Sequence, residues 1–413
     1  MSETIPEGWE KNELRDLISN WGDGGTPSRS KEEYFGGNIK WVVINDIKFE
    51  IFDTKEHLTK LGFKNSSTKL WKKGSVILST GASIGHVGIA RDEMCTKQGI
   101  IGIEPSSKLN NEFLARFFEH NKSFLNRLAQ GSTIKEVRIP LLGKIKILTP
   151  PLPEQEKIAS ILSKTDEQIQ LTKEIIEKTE EQKKGLMQQL LTKGIGHTEF
   201  KEFKIDAKKY LIPNNWEIKN LEDVALIKGR VGWKGYTVED LRTSGPLTLG
   251  ANNISKKNKL DLKNSKFLSM EKYLESPEIM VKEGEILIVQ RGSLGKVVIV
   301  DRPIGDATIN PSMVLLKNIK MNNFFLYYYL CSEFIHRHIG NIQTQTGVPM
   351  ISQKQCKDFK IIIPTNTEQE KIANVLLKLD FNIEKEKSQL QQLKYLKKGL
   401  MQDLLTGKVR VKV

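Results

Sequence analysis

Three cysteines and six histidines are the side chains of this 413-residue sequence best suited to hold a metal or act as nucleophiles. Cys95, Cys331 and Cys356 lie far apart, and neither a CxxC pair nor a Cys/His cluster of zinc spacing occurs. They read as buried, reduced thiols. His336 and His338 have no third ligand near them in sequence and read as helix-end histidines. GSLGKV at Gly292 has the wrong spacing for a nucleotide-binding GxxxxGK[ST] loop, and no hydroxyl follows Lys296. No GxGxxG follows a strand. NPSM at Asn310 to Met313 faintly resembles the tetrad of adenine methyltransferases, but it lacks the second proline and the aromatic that would stack a flipped base. TGASIG holds GxSxG only in shuffled form, without the elbow context of a hydrolase. Catalysis is therefore not expected, and the chemistry left standing is binding.

One loop suits binding and occurs twice. Gly81, Ala82, Ser83, Ile84 and Gly85 stand between two apolar runs, as do Gly292, Ser293, Leu294 and Gly295. Glycines allow tight turns with exposed amides, and a serine there can donate to a phosphate or a base edge. A plain hairpin explains the same pattern equally well. Basic and amide residues stand nearby: Arg91, Lys97 and Gln98 in the first copy, Gln290, Arg291, Lys296 and Arg302 in the second.

The elements that must carry these loops are also duplicated. Residues 154–192 and 368–406 align without a gap at an offset of 214 and match at 20 of 39 positions, with EQEKIA, KKGLMQ and LLT identical. Neither segment contains proline, and both are rich in Lys, Glu, Gln and Leu, so each predicts one long helix of roughly 58 Å. Apolar residues fall near heptad spacing: Leu162, Ile169, Ile176, Leu186 and Leu190 in the first, then Leu376, Leu379, Ile383, Leu390, Leu393, Leu400 and Leu404 in the second. Thr165, Thr172 and Thr179 fill intermediate positions of the first helix, which would pair weakly with a copy of itself. The leucine-richer second helix is the better partner, so an intramolecular pair is expected; the competing arrangement packs each helix on its own globular half. Gly185 and Gly399, identically placed, suggest close backbone approach or a kink.

Outside the helices PEGW at Pro6 returns as PNNW at Pro213, and GSVILSTGASIGHVGIA from Gly74 returns as GEILIVQRGSLGKVVIV from Gly284. Short β-branched runs such as WVVI, SVILS, VGIA, IIGI and KIKIL, and later EILIV, VVIV, MVLL and FKIII, predict strands. Helical stretches at Asn111 to Leu128 and Asn322 to His338 carry Phe113, Phe117, Phe118, Phe124 and the Phe324 to Tyr329 cluster, which read as core and not as base-stacking platforms. The expected fold is two copies of a mixed α/β (α+β) domain joined by two long helices: a first domain over 1–150, a helical region over 151–197, a second domain over 198–364 and a second helical region over 365–413.

Lysine and arginine number 64 against 50 acids, a net charge of +14. Residues 151–195 hold seven basic and eight acidic side chains and residues 365–409 hold eight and six, so the helices keep one positive charge of the fourteen. The other thirteen lie in the globular parts and tails. Solubility is one cause of such an excess; a polyanion, whose neutralised phosphates release counterions, is another and better explains the partition. The polar, acidic start MSETIPEGWEKNELRD is unlike a signal peptide, and no apolar run approaches the roughly 18 residues of a membrane span, so a cytoplasmic protein without membrane partners is expected.

GGTPSRSKEEYFGG at Gly24 to Gly37 followed by IKWVVINDI, the GASIG loop, and PPLPEQEKIA at Pro150 to Ala159 leading into a helix closing in KKGLMQQLLT together resemble the specificity subunit of type I restriction-modification systems, across nearly all of the chain. The resemblance implies a non-catalytic subunit with two target-recognition domains, each reading one half of a split, asymmetric site in double-stranded DNA. It implies that the helices pair antiparallel as a ruler and dock two methyltransferase (M) subunits, with restriction (R) subunits joining the complex. S-adenosylmethionine, ATP and Mg²⁺ would be bound by those partners, and no cofactor by this chain. The DNA contacts it implies are Ser83, Arg91 and Lys97 in the first domain and Gln290, Arg291, Ser293 and Lys296 in the second. In the second copy Arg291 replaces the first glycine of the loop, IPTNT replaces PPLP, and GSTIKEV at Gly131 has a less regular counterpart in QTQTGVP at Gln343. A coiled-coil scaffold joining two protein-binding domains is the alternative, and a self-contained methyltransferase or nuclease would need motifs that are missing.

Overall fold

The apolar runs at the centre of each unit form strands because they are covered on both faces. In the computed structural model, which describes residues 5–81, 83–130, 135–205, 208–230, 235–255, 257–342 and 348–412, Val76 and Leu78 face a core with Phe113 and Phe118, while Ile77 between them faces another with Trp71 and Met94. The second copy repeats this: Ile286 and Ile288 pack with Phe325 and Leu326, Leu287 and Val289 with Leu249 and Ile309. Successive side chains of a strand point to opposite faces, so a strand between two cores reads as an unbroken apolar run.

The chain divides into two compact units, Met1–Glu174 with Ser388–Val413, and Ile175–Lys387, so each takes one globular half and part of both long helices. In the first unit Ile18–Asp23, Ile100–Pro105, Val76–Ser79 and Val87–Ala90 lie side by side in that order, all antiparallel, with Glu50–Ile51 added in parallel. In the second unit Leu226–Gly229, Met313–Lys317, Ile286–Val289 and Val297–Ile299 repeat the order and the directions. A smaller sheet in each contains one parallel pair, Phe35–Val42 with Met94–Thr96 and Leu241–Leu249 with Ala307–Ile309. A two-stranded ladder in each joins the start of the domain to the strand before the long helix: Glu10–Glu13 with Lys146–Thr149, and Glu217–Asn220 with Lys360–Ile363. The second unit also carries a hairpin, Phe200–Ile205 with Lys208–Pro213.

Helices cover the larger sheets. Asn110 and Asn322 cap Asn111–His120 and Asn323–Leu330 by accepting from the amides of Phe113 (3.0 Å) and Phe325 (2.9 Å). Asn111 and Asn323, one residue on, donate to the carbonyls of Gly74 and Gly284 and fix both helices to the turn before the central strand. Phe113, Phe118, Phe325 and Tyr327 to Tyr329 are buried, as expected of core; Phe124 is the exception, at 37% exposure.

The long helices run over Leu152–Lys193 and Asn366–Leu405 and pair within the chain. Of the twelve expected seam residues, Leu162, Ile169, Ile176, Leu190, Leu376, Ile383 and Leu404 are buried and the others are half-buried. Ile158, Leu162, Met401, Leu404 and Leu405 enter the core of the first unit, and Leu190, Leu191, Ile372, Ala373 and Leu376 that of the second. The helix ends thus pack on globular domains and on each other, which unites the two arrangements set against one another above. In the first unit Asp166 meets Lys397 (2.8 Å) and Glu154 meets Arg410 (2.8 Å); in the second Lys183 meets Asp380 (2.7 Å) and Glu368 meets His197 (2.9 Å). In both units the partner number falls as the other rises, so the pairing is antiparallel.

Thr165 and Thr172 sit buried in the seam because their hydroxyls donate to the carbonyls of Ile161 (2.9 Å) and Gln168 (2.8 Å), which satisfies them inside their own helix. Gly185 and Gly399 differ from expectation. A Cβ at either would meet no atom within 4 Å, so neither glycine marks a close approach, and the helices continue through both. Nothing packed beside them explains the residue type.

Candidate nucleic-acid interface

The two Gly-Ser loops are hairpin turns braced from the side. In the first unit the loop joins Val76–Ser79 to Val87–Ala90, the amide of Val137 donates to the carbonyl of Thr80 (2.9 Å), and Gln130 pairs with Glu136. In the second the loop joins Ile286–Val289 to Val297–Ile299, the amide of Ile351 donates to the carbonyl of Gln290 (3.0 Å), and Arg291 pairs with Met350. Val137 of GSTIKEV and Pro349 of QTQTGVP therefore lie beside the Gly-Ser loops. Ala82, Gly131 to Ile134 and Gln343 to Gly347 lie outside the described residues.

Glycine is required where the turn closes. Gly85 and Gly295 have φ of +82° and +77°, and a Cβ would come within 2.7 Å of Lys122 Cγ and 2.6 Å of His336 Nδ1. Several amides of the turns are already engaged. Those of Gly81 and Gly85 donate to the carbonyls of Gly99 and Ser79, and those of Gly292 and Leu294 to Pro349 and Gly292. Beneath the first loop Asp23 accepts from the amides of Gly24 (2.9 Å) and Gly99 (3.0 Å), and burial pushes its carboxyl above the ordinary range despite those bonds.

The seven candidate contacts have different surroundings. Ser83, Ser293 and Arg291 are exposed at the loop tips. The Arg291 guanidinium lies 3.3 Å from Met350 Sδ and meets no carboxylate among the described residues. Arg91 is committed elsewhere: its Nη2 donates to Glu50 Oε1 (2.6 Å) and Glu112 Oε1 (2.9 Å). Gln290 spends its amide on the carbonyl of Pro311 (2.9 Å), and Lys296 donates to that of Ile254 (3.0 Å). Lys97 is half-buried, with its charge near Glu56. The folding also brings in Lys135 and Arg138, exposed on either side of Val137. Their link to the loop rests on a backbone bond spanning the sequence between Thr80 and Val137, which no local motif announces, although Lys135 belongs to GSTIKEV. NPSM is a turn, with Asn310 Oδ1 accepting from the Ser312 amide (2.9 Å) ahead of Met313–Lys317.

Each globular part is held to the helices by the EQ pair of EQEKIA. Trp9 donates to Glu154 (3.2 Å) and Trp216 to Glu368 (3.0 Å). Gln155 accepts from the amide of Asn110 and donates to the carbonyl of Pro150; Gln369 does the same with Asn322 and Pro364. The remaining carboxylate valences close on the chain beyond the other long helix: Arg410 forks onto Glu154 (both 2.8 Å), while His197 and the Ile195 amide reach Glu368 (both 2.9 Å). Arg410, first, and the Val411 amide and Trp9 hold the Glu154 carboxyl below the usual carboxylate range. A motif identical in both copies is thus a structural joint.

The three cysteines are free thiols; Cys95 and Cys356 are buried, and burial pushes both up to about 12. Among the described residues no helix is long and apolar enough to cross a membrane.

Comparison with known proteins agrees with this duplicated build. The family model for the type I restriction modification DNA specificity domain matches twice, over residues 6–181 and 213–395. The MjaVIII specificity subunit of a type I restriction enzyme from Methanocaldococcus jannaschii is 27% identical over 416 residues, covering 99% of this chain and 94% of that one. The putative MjaX specificity subunit from the same organism is 29% identical over 441 residues, covering 99% and 95%. The crystal structure of a type I restriction-modification S subunit from M. genitalium superposes with a TM-score of 0.58 at 17% identity, covering 98% of each chain, which shows a shared fold.

Proposed function

Because this chain belongs to the type I restriction-modification DNA specificity family, we propose that it is the non-catalytic subunit that reads a bipartite, asymmetric site in duplex DNA for a larger complex. Each unit reads one half-site through its braced hairpin and the flanking segment. The antiparallel helices set the distance between halves and receive two methyltransferase subunits, and restriction subunits complete the assembly in the cytoplasm. Methyl transfer to adenine and ATP-driven cleavage, with S-adenosylmethionine, ATP and Mg²⁺, are the work of those partners.

The observation that carries this reading is that one chain builds a similar hairpin twice, each braced by an equivalent backbone bond, Val137 to Thr80 and Ile351 to Gln290, but with different tips: Ser83 in one, Arg291 and Ser293 in the other. Similar scaffolds with unlike tips suit two unlike half-sites. The net charge of +13 outside the helices supplies the sequence-independent attraction to phosphate.

Helix length gives the test. Adding one matched heptad to each long helix keeps the seam in phase and lengthens the pair by about 10.5 Å, the rise of roughly three base pairs. With its methyltransferase partner, the lengthened chain is expected to select a spacer longer by about two to three base pairs with both half-sites unchanged. An unchanged spacer, or altered half-sites, would contradict the ruler.

A further inference from the structure

Each globular part meets the long helices at a second place beyond the EQ pair. In the first unit Arg116, on the helix Asn111–His120, is 1% exposed. Its guanidinium donates to Asp166 and Ser163 (3.2 Å) of the first long helix and to Glu119 (2.9 Å) of its own, and it lies 3.5 Å from the centroid of the Phe49 ring. Lys397 of the second long helix closes the cluster on Asp166 (2.8 Å) and Glu119 (2.6 Å). The second unit repeats the junction. Lys183 and the Tyr328 hydroxyl both donate to Asp380 (2.7 Å each), and Tyr328 stands at the same distance from its capping asparagine as Arg116 does.

Burying charge is a poor way to gain stability, because desolvation offsets the attraction; the best-attested use of such a cluster is to fix a register. Its position says what is fixed. Asp166 stands twelve residues beyond Glu154 and Asp380 twelve beyond Glu368, about 18 Å along each helix. One attachment is a pivot, whereas two attachments that far apart set an angle. A domain of this size has a radius of gyration near ~15 Å, so a turn of about 10° moves a loop at that radius by ~3 Å, close to the rise of one base pair. We infer that Arg116, with Asp166 and Lys397, is a positioning residue for spacer selectivity: it stops the first recognition domain from rocking on the EQ joint, so that one spacer length is accepted and those one base pair longer or shorter are refused. The inference rests on the helices acting as a ruler, as proposed above. Buried as it is, Arg116 acts through the domain's angle and not by touching DNA.

The test is methylation by the full chain with its methyltransferase partner, on duplexes carrying the preferred spacer or one base pair more or less. Arg116→Met/Glu119→Gln removes one charge of each sign and leaves Asp166 on Lys397. It is expected to raise methylation of the off-length duplexes, relative to the preferred one, by about tenfold with both half-sites unchanged. Arg116→Lys keeps the charge but not the fork and is expected to raise that ratio less; should the double variant fail to fold, this milder rise decides the matter. A role in stability alone would lower the urea midpoint and reduce methylation of all three duplexes in parallel. That outcome, or variants as selective as a selective parent, overturns the inference while the ruler stands. A parent chain without a preferred spacer would overturn the ruler, and the inference with it.

Discussion

Glu368→Ala is expected to destabilise the second unit by about 2–4 kcal/mol, a large fraction of a domain's total stability. The carboxylate is 8% exposed and is shared by the indole of Trp216, the His197 ring and the Ile195 amide. Alanine leaves the indole of a tryptophan that is 1% exposed, and the amide, without an acceptor, and each stranded donor costs about 1–3 kcal/mol. It also unties the end of one long helix from the start of the other. Equilibrium unfolding in urea is the check. Glu368→Gln, which keeps one acceptor, should lose less, and a loss below about 0.5 kcal/mol for alanine would refute the role given to the EQ pair.

That role was hidden in the sequence for a physical reason. The repeat exposed EQEKIA at once, but what Glu368 does depends on Trp216 and His197, which stand 152 and 171 residues earlier. The seam was legible because leucine and isoleucine report a heptad locally, and so were central strands such as Val76–Ser79 and Ile286–Val289, covered on both faces. The same distance effect misled the site. Arg91 reads as a free cation until Glu50, 41 residues earlier, and Glu112, 21 residues later, are folded onto it. Lys296 reads as a loop lysine until it closes on the Ile254 carbonyl. Arg291 stays open because it replaces the glycine of the first copy at a loop tip, where no described residue supplies an acid.

Arg291→Ala is accordingly expected to lose about 1–3 kcal/mol of recognition at one half-site only, roughly a 10- to 100-fold weaker preference there. An exposed guanidinium that meets no carboxylate among the described residues can fork onto a guanine edge, the commonest specific arginine contact, and its removal costs the fold little because among those residues its side chain meets only Met350. Arg91→Ala makes the contrast: it breaks an internal clamp on Glu50 and Glu112, so its effect should appear in unfolding and much less in half-site preference. Binding of the chain with its methyltransferase partner to duplexes altered in one half at a time separates the two. Equal losses at both halves for Arg291→Ala would contradict its place in the second recognition surface.

The central claim, one chain reading two unlike half-sites at a fixed distance, is tested most directly by mapping methylated adenines in DNA from cells carrying this chain and its methyltransferase partner. The expected map is a single bipartite, asymmetric motif with a constant spacer, and exchanging residues 286–299 for another recognition hairpin should rewrite one arm alone. A continuous or palindromic motif, or methylation without sequence preference, would contradict it.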